Sequence, residues 1–406
     1  PNTLGVFGSL SILLLILFVS KAQFQTVELE KIDSLINSSI TLKNFPGAQL
    51  FVKYKDSIII NKSYGFHTYD SIIKVDNKHL YDLASLTKVL ASTFSLMKLY
   101  DENKLELNDK ISDYFPELKR SNKKHTTIFQ SLSHTSGWAP YISHQNFIKK
   151  RNGDLKRSIV RNKMHKRFSV QMNNTLFLKN SYSKKLFKRI RKSKLNTVNA
   201  YDYSGLFFFY VPKLIHKVTG LNFENYFYNT FINKKEITLL FNPTNVFSKK
   251  IIVPSEYDSI FRKELVHGFV HDEAASFMGG ISGNAGLFGN AQSVGSLLNF
   301  LGPNSTMFKQ ATVHKFTSYA FKNSKIRRGL GFDKPYSNDE YGEYPNKNLS
   351  KDSFGHTGFT GTMFWVDPEK KLTIVFLTNR VYPSRKNQSF YENNVRSKLI
   401  DLLLKN

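Results

Sequence analysis

Two runs near the start of the chain, Gln49 to Lys55 and Ser57 to Tyr64, are rich in Val, Ile and Phe and flank the polar turn Lys55-Asp56. They predict a hairpin. From Leu86 to Tyr100 the period changes: Val89, Leu90, Phe94 and Met97 recur at helical spacing until Asp101-Glu102-Asn103 breaks the pattern. That helix is apolar enough to be central. Residues 105–290 hold helix-like patches and long polar loops, among them the Gly-rich run Gly279-Gly280-Ile281-Ser282-Gly283-Asn284-Ala285-Gly286. Beyond them, Thr362 to Val366 and Leu372 to Thr378 predict a second strand pair, split by Asp367-Pro368-Glu369-Lys370-Lys371, and a final helix runs from about Glu392 to Leu404. Strands at both ends with helices between them predict an α/β (α+β) fold. Residues 23–110 and 290–406 would form an antiparallel sheet flanked by helices, and 111–289 an inserted helical domain, with a site at the seam. No internal repeat is present.

Composition narrows the chemistry. The 406 residues are 41% hydrophobic and 14% aromatic, enough to bury a large core, and contain no Cys. Disulfides, thiolate metal sites and cysteine nucleophiles are thereby excluded. The net charge is +27, and between Gln145 and Asn196 there are 17 Lys or Arg against one acid, Asp154. Such a stripe attracts polyanions. It shows no recognition helix or stacking platform, so nucleic acid is not an expected partner. A solvated basic face is the reading preferred for 145–196, with anionic envelope polymers as the alternative. The first twenty residues carry no charge, and an apolar stretch from Leu4 to Val19 precedes Ser20 and Ala22, which stand at the −3 and −1 positions of a cleavage site before Gln23. Residues 1–22 read as a signal peptide, which implies an exported protein, periplasmic or secreted. A membrane anchor is the competing reading, although the run is shorter than the roughly 20 residues a spanning helix needs. Membrane contact is expected only through an uncleaved signal.

A serine hydroxyl needs a base to become a nucleophile, and a lysine three residues on lies on the same helix face. Five Ser-x-x-Lys pairs occur: Ser71/Lys74, Ser85/Lys88, Ser95/Lys98, Ser121/Lys124 and Ser181/Lys184. Position separates them. Ser85 falls where Tyr81-Asp82-Leu83-Ala84 gives way to the apolar helix, so its N–H belongs to the unpaired donors of a helix start and can stabilise an oxyanion. Ser95 lies inside that helix, Ser121 and Ser181 lie in basic stretches, and Ser71 lies in a strand-to-loop region.

Tyr81-Asp82-Leu83-Ala84-Ser85-Leu86-Thr87-Lys88 resembles the first motif of class C β-lactamases and their esterase and DD-peptidase relatives, the penicillin-binding-protein-like serine hydrolases. The third motif of that family is matched by Gly355-His356-Thr357-Gly358-Phe359-Thr360-Gly361-Thr362. The resemblance implies that this segment faces Ser85, that His356, Thr357 and Gly358 line the substrate site, and that the N–H of Phe359 is a second oxyanion donor. The second motif is matched by Tyr203-Ser204-Gly205, ahead of a helix ending Ile215-His216-Lys217-Val218-Thr219-Gly220; Tyr201-Asp202-Tyr203 is a rival register. In the family the tyrosine exchanges a proton with the nucleophile and leaving group. The third residue is usually Asn, Asp or Ser, and here it is Gly205, so a neighbour of Lys88 is missing from the pattern.

The likeness runs from about Ile32 to the C-terminus. It includes Leu132-Ser133-His134-Thr135-Ser136-Gly137, Asn103-Lys104-Leu105-Glu106-Leu107-Asn108-Asp109 and Gly361-Thr362-Met363-Phe364-Trp365-Val366-Asp367-Pro368. Val266-His267-Gly268-Phe269-Val270-His271-Asp272, with Gly279 to Asn290, looks like the serine-hydrolase modules that some bacteria fuse behind a family 3 β-N-acetylhexosaminidase. That likeness implies peptidoglycan fragments as a substrate context.

The resemblance therefore implies a β-lactamase/transpeptidase-like fold and an exported serine acyl hydrolase. Its expected substrate is a small-molecule or peptide acyl compound, and no cofactor is expected. The alternatives are a module that keeps the fold but is impaired through changes such as Gly205, and an envelope protein that binds anionic polymers. His267, His271 and Asp272 could be drawn as a metal site, but Gly268 argues against a helix there and no third ligand is placed. No metal is expected. Phe207-Phe208-Phe209-Tyr210 reads as core rather than as a binding platform.

Overall fold

The computed structural model describes residues 29–233, 237–321, 325–336 and 344–405. The predicted signal segment, residues 1–22, lies outside them. Eleven strands are named in chain order. β1 (Gly47–Tyr54) and β2 (Ser57–Gly65) form the expected hairpin, with Lys55 at the turn in the left-handed region, φ 55°. β9 (Phe354–Thr357), β10 (Met363–Asp367) and β11 (Leu372–Thr378) come from the other end of the chain. Together they make one antiparallel sheet in the order β2-β1-β11-β10-β9. Pairing Ala48 with Thr378 and Tyr54 with Leu372 places the two ends of the sequence side by side.

Helices cover both faces of this sheet, so its inner strands alternate between two cores instead of between core and water. On one face Leu50, Val52, Ile374, Phe376, Met363 and Trp365 pack with Ile32 and Ile36 of the helix described over 29–41 and with Leu399 and Ile400 of the C-terminal helix Val395–Leu404. On the other face Phe51, Val375, Leu377 and Phe364 join the main core, which continues through the helix Ala291–Leu298 into the middle of the chain. The C-terminal helix begins later than the pattern predicted, after a short helix Ser389–Glu392 and a left-handed Asn394.

The middle segment is not helical throughout. β3 (Tyr81–Asp82), β7 (Leu239–Phe241) and β8 (Leu287–Gly289) form a small sheet in the order β3-β8-β7. β4 (Val160–Arg161), β5 (Val170–Gln171) and β6 (Phe177–Leu178) form another inside the basic stretch. Two-residue strands leave no readable period. The helix Tyr182–Lys192 that follows is amphipathic: Tyr182, Leu186, Phe187 and Ile190 are buried, while Lys184, Lys185, Lys188 and Lys192 face solvent. Phe207, Phe208, Phe209 and Tyr210 are all buried in the main core.

The predicted central helix is buried along its length but is not a regular α-helix. Lys88–Thr93 is π-helical and Phe94–Asp101 is α-helical. Within the π turn, Thr93 Oγ1 donates to the Lys88 carbonyl at 2.8 Å and Ser92 Oγ donates to the Gly283 carbonyl at 2.8 Å. Gly283 can approach this closely only because it has no Cβ, which would lie 2.2 Å from the Phe208 carbonyl oxygen and 2.8 Å from Ser92 Oγ. The Gly-rich run is thus the strap that passes against the central helix. Gly283→Ala is expected to cost about 1–3 kcal/mol through overpacking. Urea unfolding checks it, and an unchanged midpoint would show that the contact is slack.

Candidate active site

The chain enters the site along β3. Asp82 is buried, accepting from the Ala84 N–H at 2.8 Å and the His271 N–H at 2.6 Å; burial pushes its carboxyl above the usual range against these donors. Ala84 is left-handed, φ 47°, a conformation a residue with a Cβ adopts only when its surroundings impose it. The first helical turn begins there, with Lys88 N–H donating to the Ser85 carbonyl at 3.0 Å. Ser85 is thereby set on a sharp strand-to-helix turn.

Lys88 Nζ donates to Ser85 Oγ at 2.9 Å and to the Asn284 carbonyl at 3.0 Å. The second contact was not foreseen. It fills the place that the pattern left empty at Gly205, where a Cβ would stand 3.6 Å from Lys88 Cε and 4.0 Å from Lys88 Nζ and Asn284 Cβ. Lys88 therefore has a partner in the main chain of the strap. Among the rival pairs, Lys98 turns to the Met307 carbonyl at 3.0 Å and to Glu102 at 3.6 Å, and Ser121 Oγ donates to the Leu118 carbonyl.

Of the two candidate tyrosines, Tyr203 is the one against Lys88. Lys88 Nζ lies 5.5 Å from its ring centroid, whereas Tyr201 is 41% exposed at the surface. The segment Leu132 to Gly137 is its scaffold. Asp202 N–H donates to the His134 carbonyl at 2.9 Å, Ser204 N–H to His134 Nδ1 at 3.2 Å, and Ser204 Oγ to the Ala139 carbonyl at 2.7 Å. The His134 ring then packs 4.5 Å from the Tyr203 ring, centroid to centroid. Burial alone would raise the Tyr203 phenol; the Lys88 charge, a hydrogen bond with Ser85 and the Arg328 charge outweigh it and bring the group below its ordinary value of about 10.

The third motif closes the opposite wall. Gly358 sits against the Ser85 turn, since a Cβ there would meet Thr362 Oγ1 at 2.1 Å and the Leu83 carbonyl at 2.8 Å. Thr360 Oγ1 donates to the Asp82 carbonyl at 2.8 Å and Thr362 Oγ1 to the Leu83 carbonyl at 3.2 Å, so the turn after β9 is fastened to the strand that carries the serine. Neither the Ser85 N–H nor the Phe359 N–H donates to a protein acceptor among the described residues. Phe359 is clamped: Arg380 Nε holds its carbonyl at 2.9 Å, and the His271 ring stacks on its half-exposed ring at 5.6 Å. Thr357 ends β9 opposite Met363.

His356 is only 2% exposed, so its imidazole is buried beside Tyr203 rather than presented at the surface. Its ring lies 6.1 Å from that of Tyr203 and its Nδ1 contacts the Thr357 carbonyl at 2.8 Å. Burial, with Arg328 and Lys88 nearby, holds the imidazole well below its usual value. The same causes, with His356 itself added, hold His134 down.

His267 and His271 serve other ends. His267 Nε2 meets the carbonyls of Lys249 and Ile252 at 2.9 and 2.6 Å, and His271 Nε2 meets Glu256 at 2.7 Å. Glu256 also binds Arg385, and these two partners overcome burial to hold its carboxyl at about 2. Asn284 and Arg328 are the site residues that sequence reasoning missed. The Gly-rich run did signal a close backbone approach for Asn284; nothing in Arg327-Arg328-Gly329 distinguished Arg328.

A serine and a lysine on the first turns of a buried helix, a tyrosine against the lysine and a Gly-flanked strand edge across the cleft define a serine hydrolase built on a mixed sheet-and-helix frame. Residues 32–394 match the family described as Beta-lactamase, and the chain belongs to that family. A protein of Salmonella enteritidis PT4 named "Putative D-alanyl-D-alanine carboxypeptidase" is 26% identical over 405 residues, covering 91% of this chain and 87% of that one. Among solved structures, EstCE1, described as a hydrolase with promiscuous acyltransferase activity, superposes with a TM-score of 0.68 at 14% identity, over 94% of this chain and 99% of its own. A class C β-lactamase gives 0.66 at 18% identity over 93% and 98%. The octameric penicillin-binding protein homologue of Pyrococcus abyssi gives 0.66 at 19% identity over 93% and 77%. The last three likenesses show the fold.

Proposed function

We propose that this serine hydrolase is an exported D-amino-acid peptidase of the DD-carboxypeptidase kind that works through an acyl-enzyme on Ser85. The observation that carries the reading is the 2.9 Å contact between Lys88 Nζ and Ser85 Oγ, with Nζ also donating to the Asn284 carbonyl. In the acylation step Ser85 Oγ attacks the carbonyl carbon while its proton passes by way of Lys88 to the Tyr203 oxygen. The N–H groups of Ser85 and Phe359 hold the oxyanion, and Thr357 and Gly358 line the bound substrate, with His356 behind them. Collapse of the adduct breaks the bond to the leaving amine, which takes the proton back from Tyr203. Water, deprotonated by the same pair, then attacks the ester, and the proton returns to Ser85 Oγ as the ester bond breaks, releasing the acid and free Ser85.

The peptide substrate is supported by the carboxypeptidase name of a relative that aligns over 91% of this chain. Against the alternative of a module impaired by Gly205, the active reading is supported by the Asn284 carbonyl, which gives Lys88 a hydrogen-bond partner where Gly205 gives none. Export, to the periplasm or the medium, rests on the apolar run Leu4 to Val19 and the small residues Ser20 and Ala22. Among the described residues no helix is long and apolar enough to cross a membrane.

Release of D-Ala from a peptide ending D-Ala-D-Ala, compared with hydrolysis of p-nitrophenyl esters and nitrocefin, tests the substrate. The D-Ala peptide is expected to be cleaved, and Ser85→Ala to abolish the activity. Ester turnover with no D-Ala release would move the assignment to an esterase.

A further inference from the structure

Tyr203 is surrounded by four basic side chains from four different elements. Lys88 comes from the central helix, His134 from the 132–137 segment, His356 from β9, and Arg328 from the 325–336 segment. Two of the four are imidazoles that do not hold a charge here. Each is buried, each lies near Lys88 and Arg328, and each has an Nε2 without a hydrogen-bond partner among the described residues. A proton added to either would be an unsatisfied buried cation.

Arg328 differs. It is 0% exposed, its guanidinium carbon lies 5.9 Å from the Tyr203 ring centroid, and it is ion-paired with buried Asp333. The main chain delivers it there. Asp333 pairs in both directions with Gly355, one residue before His356, at 2.8 and 3.0 Å, so the 325–336 segment runs along the β9 edge. Asp333 also accepts from Tyr344 Oη at 3.0 Å and lies 3.7 Å from Arg327, so the carboxylate end of the pair is held in place. Burial draws the Arg328 guanidinium down from its usual value, but an arginine starts so far above neutrality that it remains charged.

We infer that Arg328 is a positioning residue of this site, and that its buried guanidinium supplies the fixed positive charge against which Tyr203 works. In relatives whose third motif begins with Lys, a lysine ammonium stands at the His356 position. Here that position holds a neutral ring, and the cation has moved one element back, into the segment paired with β9. The inference rests on the reading of Tyr203 as a proton carrier. It assigns to Arg328 no contact with substrate.

The consequence is a pH profile. Tyr203 accepts a proton as phenolate, so acylation rises with pH along a limb set by that group, and nearby positive charge moves the limb to lower pH. Besides Tyr203, the groups facing Arg328 are Asp333, Arg327, Tyr201 and Tyr344, together with the two neutral histidines. The experiment measures the rate of Ser85 labelling by a fluorophosphonate probe from pH 5 to 10. Arg328→Met is expected to shift the limb to higher pH by about one unit, a roughly tenfold slower reaction at pH 7. Arg328→Lys should leave the limb near its wild-type position, and Arg328→Met/His356→Lys should move it back. A folded Arg328→Met whose rate falls equally at every pH, with the limb unmoved, would assign Arg328 a merely structural role and overturn the inference. Should Arg328→Met not fold, Arg328→Met/Asp333→Asn is compared with Asp333→Asn alone, so that the two differ only in the Arg328 charge, and the limb is expected at higher pH in the double variant; an equal limb in both would overturn the inference. Tyr203→Phe is run alongside. If it keeps the wild-type limb, the proton-carrier reading fails, whatever Arg328 does.

Discussion

Lys88→Ala is expected to slow acylation of Ser85 by about 10²–10⁴-fold, the range general-base catalysis contributes. Two hydrogen bonds end on Nζ, and each argues for the size of the effect. In the proposed mechanism the bond to Ser85 Oγ at 2.9 Å is the proton path, and the bond to the Asn284 carbonyl at 3.0 Å holds Nζ on it. Alanine removes both and leaves the Asn284 carbonyl without its donor, so some loss of stability accompanies the loss of rate. Lys88→Arg separates the two. A guanidinium keeps the charge and can still donate to a carbonyl, but it does not give up a proton, so it is expected to preserve folding without restoring the rate. Stopped-flow labelling with the fluorophosphonate probe, together with thermal unfolding of both variants, is the check. Wild-type labelling by Lys88→Ala would remove lysine from the proton path.

Tyr203→Phe is expected to lower turnover by about 10²–10³-fold while leaving the protein folded. The ring remains, so its packing on His134 at 4.5 Å and its distance of 5.5 Å from Lys88 Nζ are retained, and only the hydroxyl is lost. The sign of the pH effect follows from the lowered phenol. Because Lys88, Ser85 and Arg328 together outweigh burial, more phenolate is present at neutral pH than an ordinary tyrosine would show, and the wild-type rate should climb with pH and level off below pH 10. That limb should vanish in Tyr203→Phe. A matching loss in Tyr201→Phe instead would mean that the second motif is read in the wrong register.

The frame was legible in the sequence because its strands and central helix bury strongly periodic surfaces. β1 and β11 carry continuous apolar runs, as strands covered on both faces must, and the Leu86 to Tyr100 pattern needed only the recurrence of Val89, Leu90, Phe94 and Met97. The π turn at Lys88–Thr93 left no trace in that pattern. It is stabilised by hydroxyl contacts from Ser92 and Thr93, one of them to a segment 191 residues away.

The same distinction runs through the site. Ser85, Lys88 and Tyr203 could be proposed together from the sequence because their chemistry is in their side chains and two of them share one helix, and the fold brings the three side by side. Asn284 reaches Lys88 through a carbonyl that every residue possesses, so only the glycines around it hinted at the approach. Arg328 depends on the pairing of Asp333 with Gly355, a non-local contact that single-residue chemistry cannot foresee. His356 was expected to line the substrate site, and it is instead buried with its ring beside Tyr203.

The central claim is that Ser85 becomes covalently acylated, and the intact mass of the protein after incubation with the fluorophosphonate probe tests it most directly. One adduct per chain is expected, mapped by peptide sequencing to Ser85 and absent from Ser85→Ala. An adduct on another serine, or undiminished labelling of Ser85→Ala, would contradict the account.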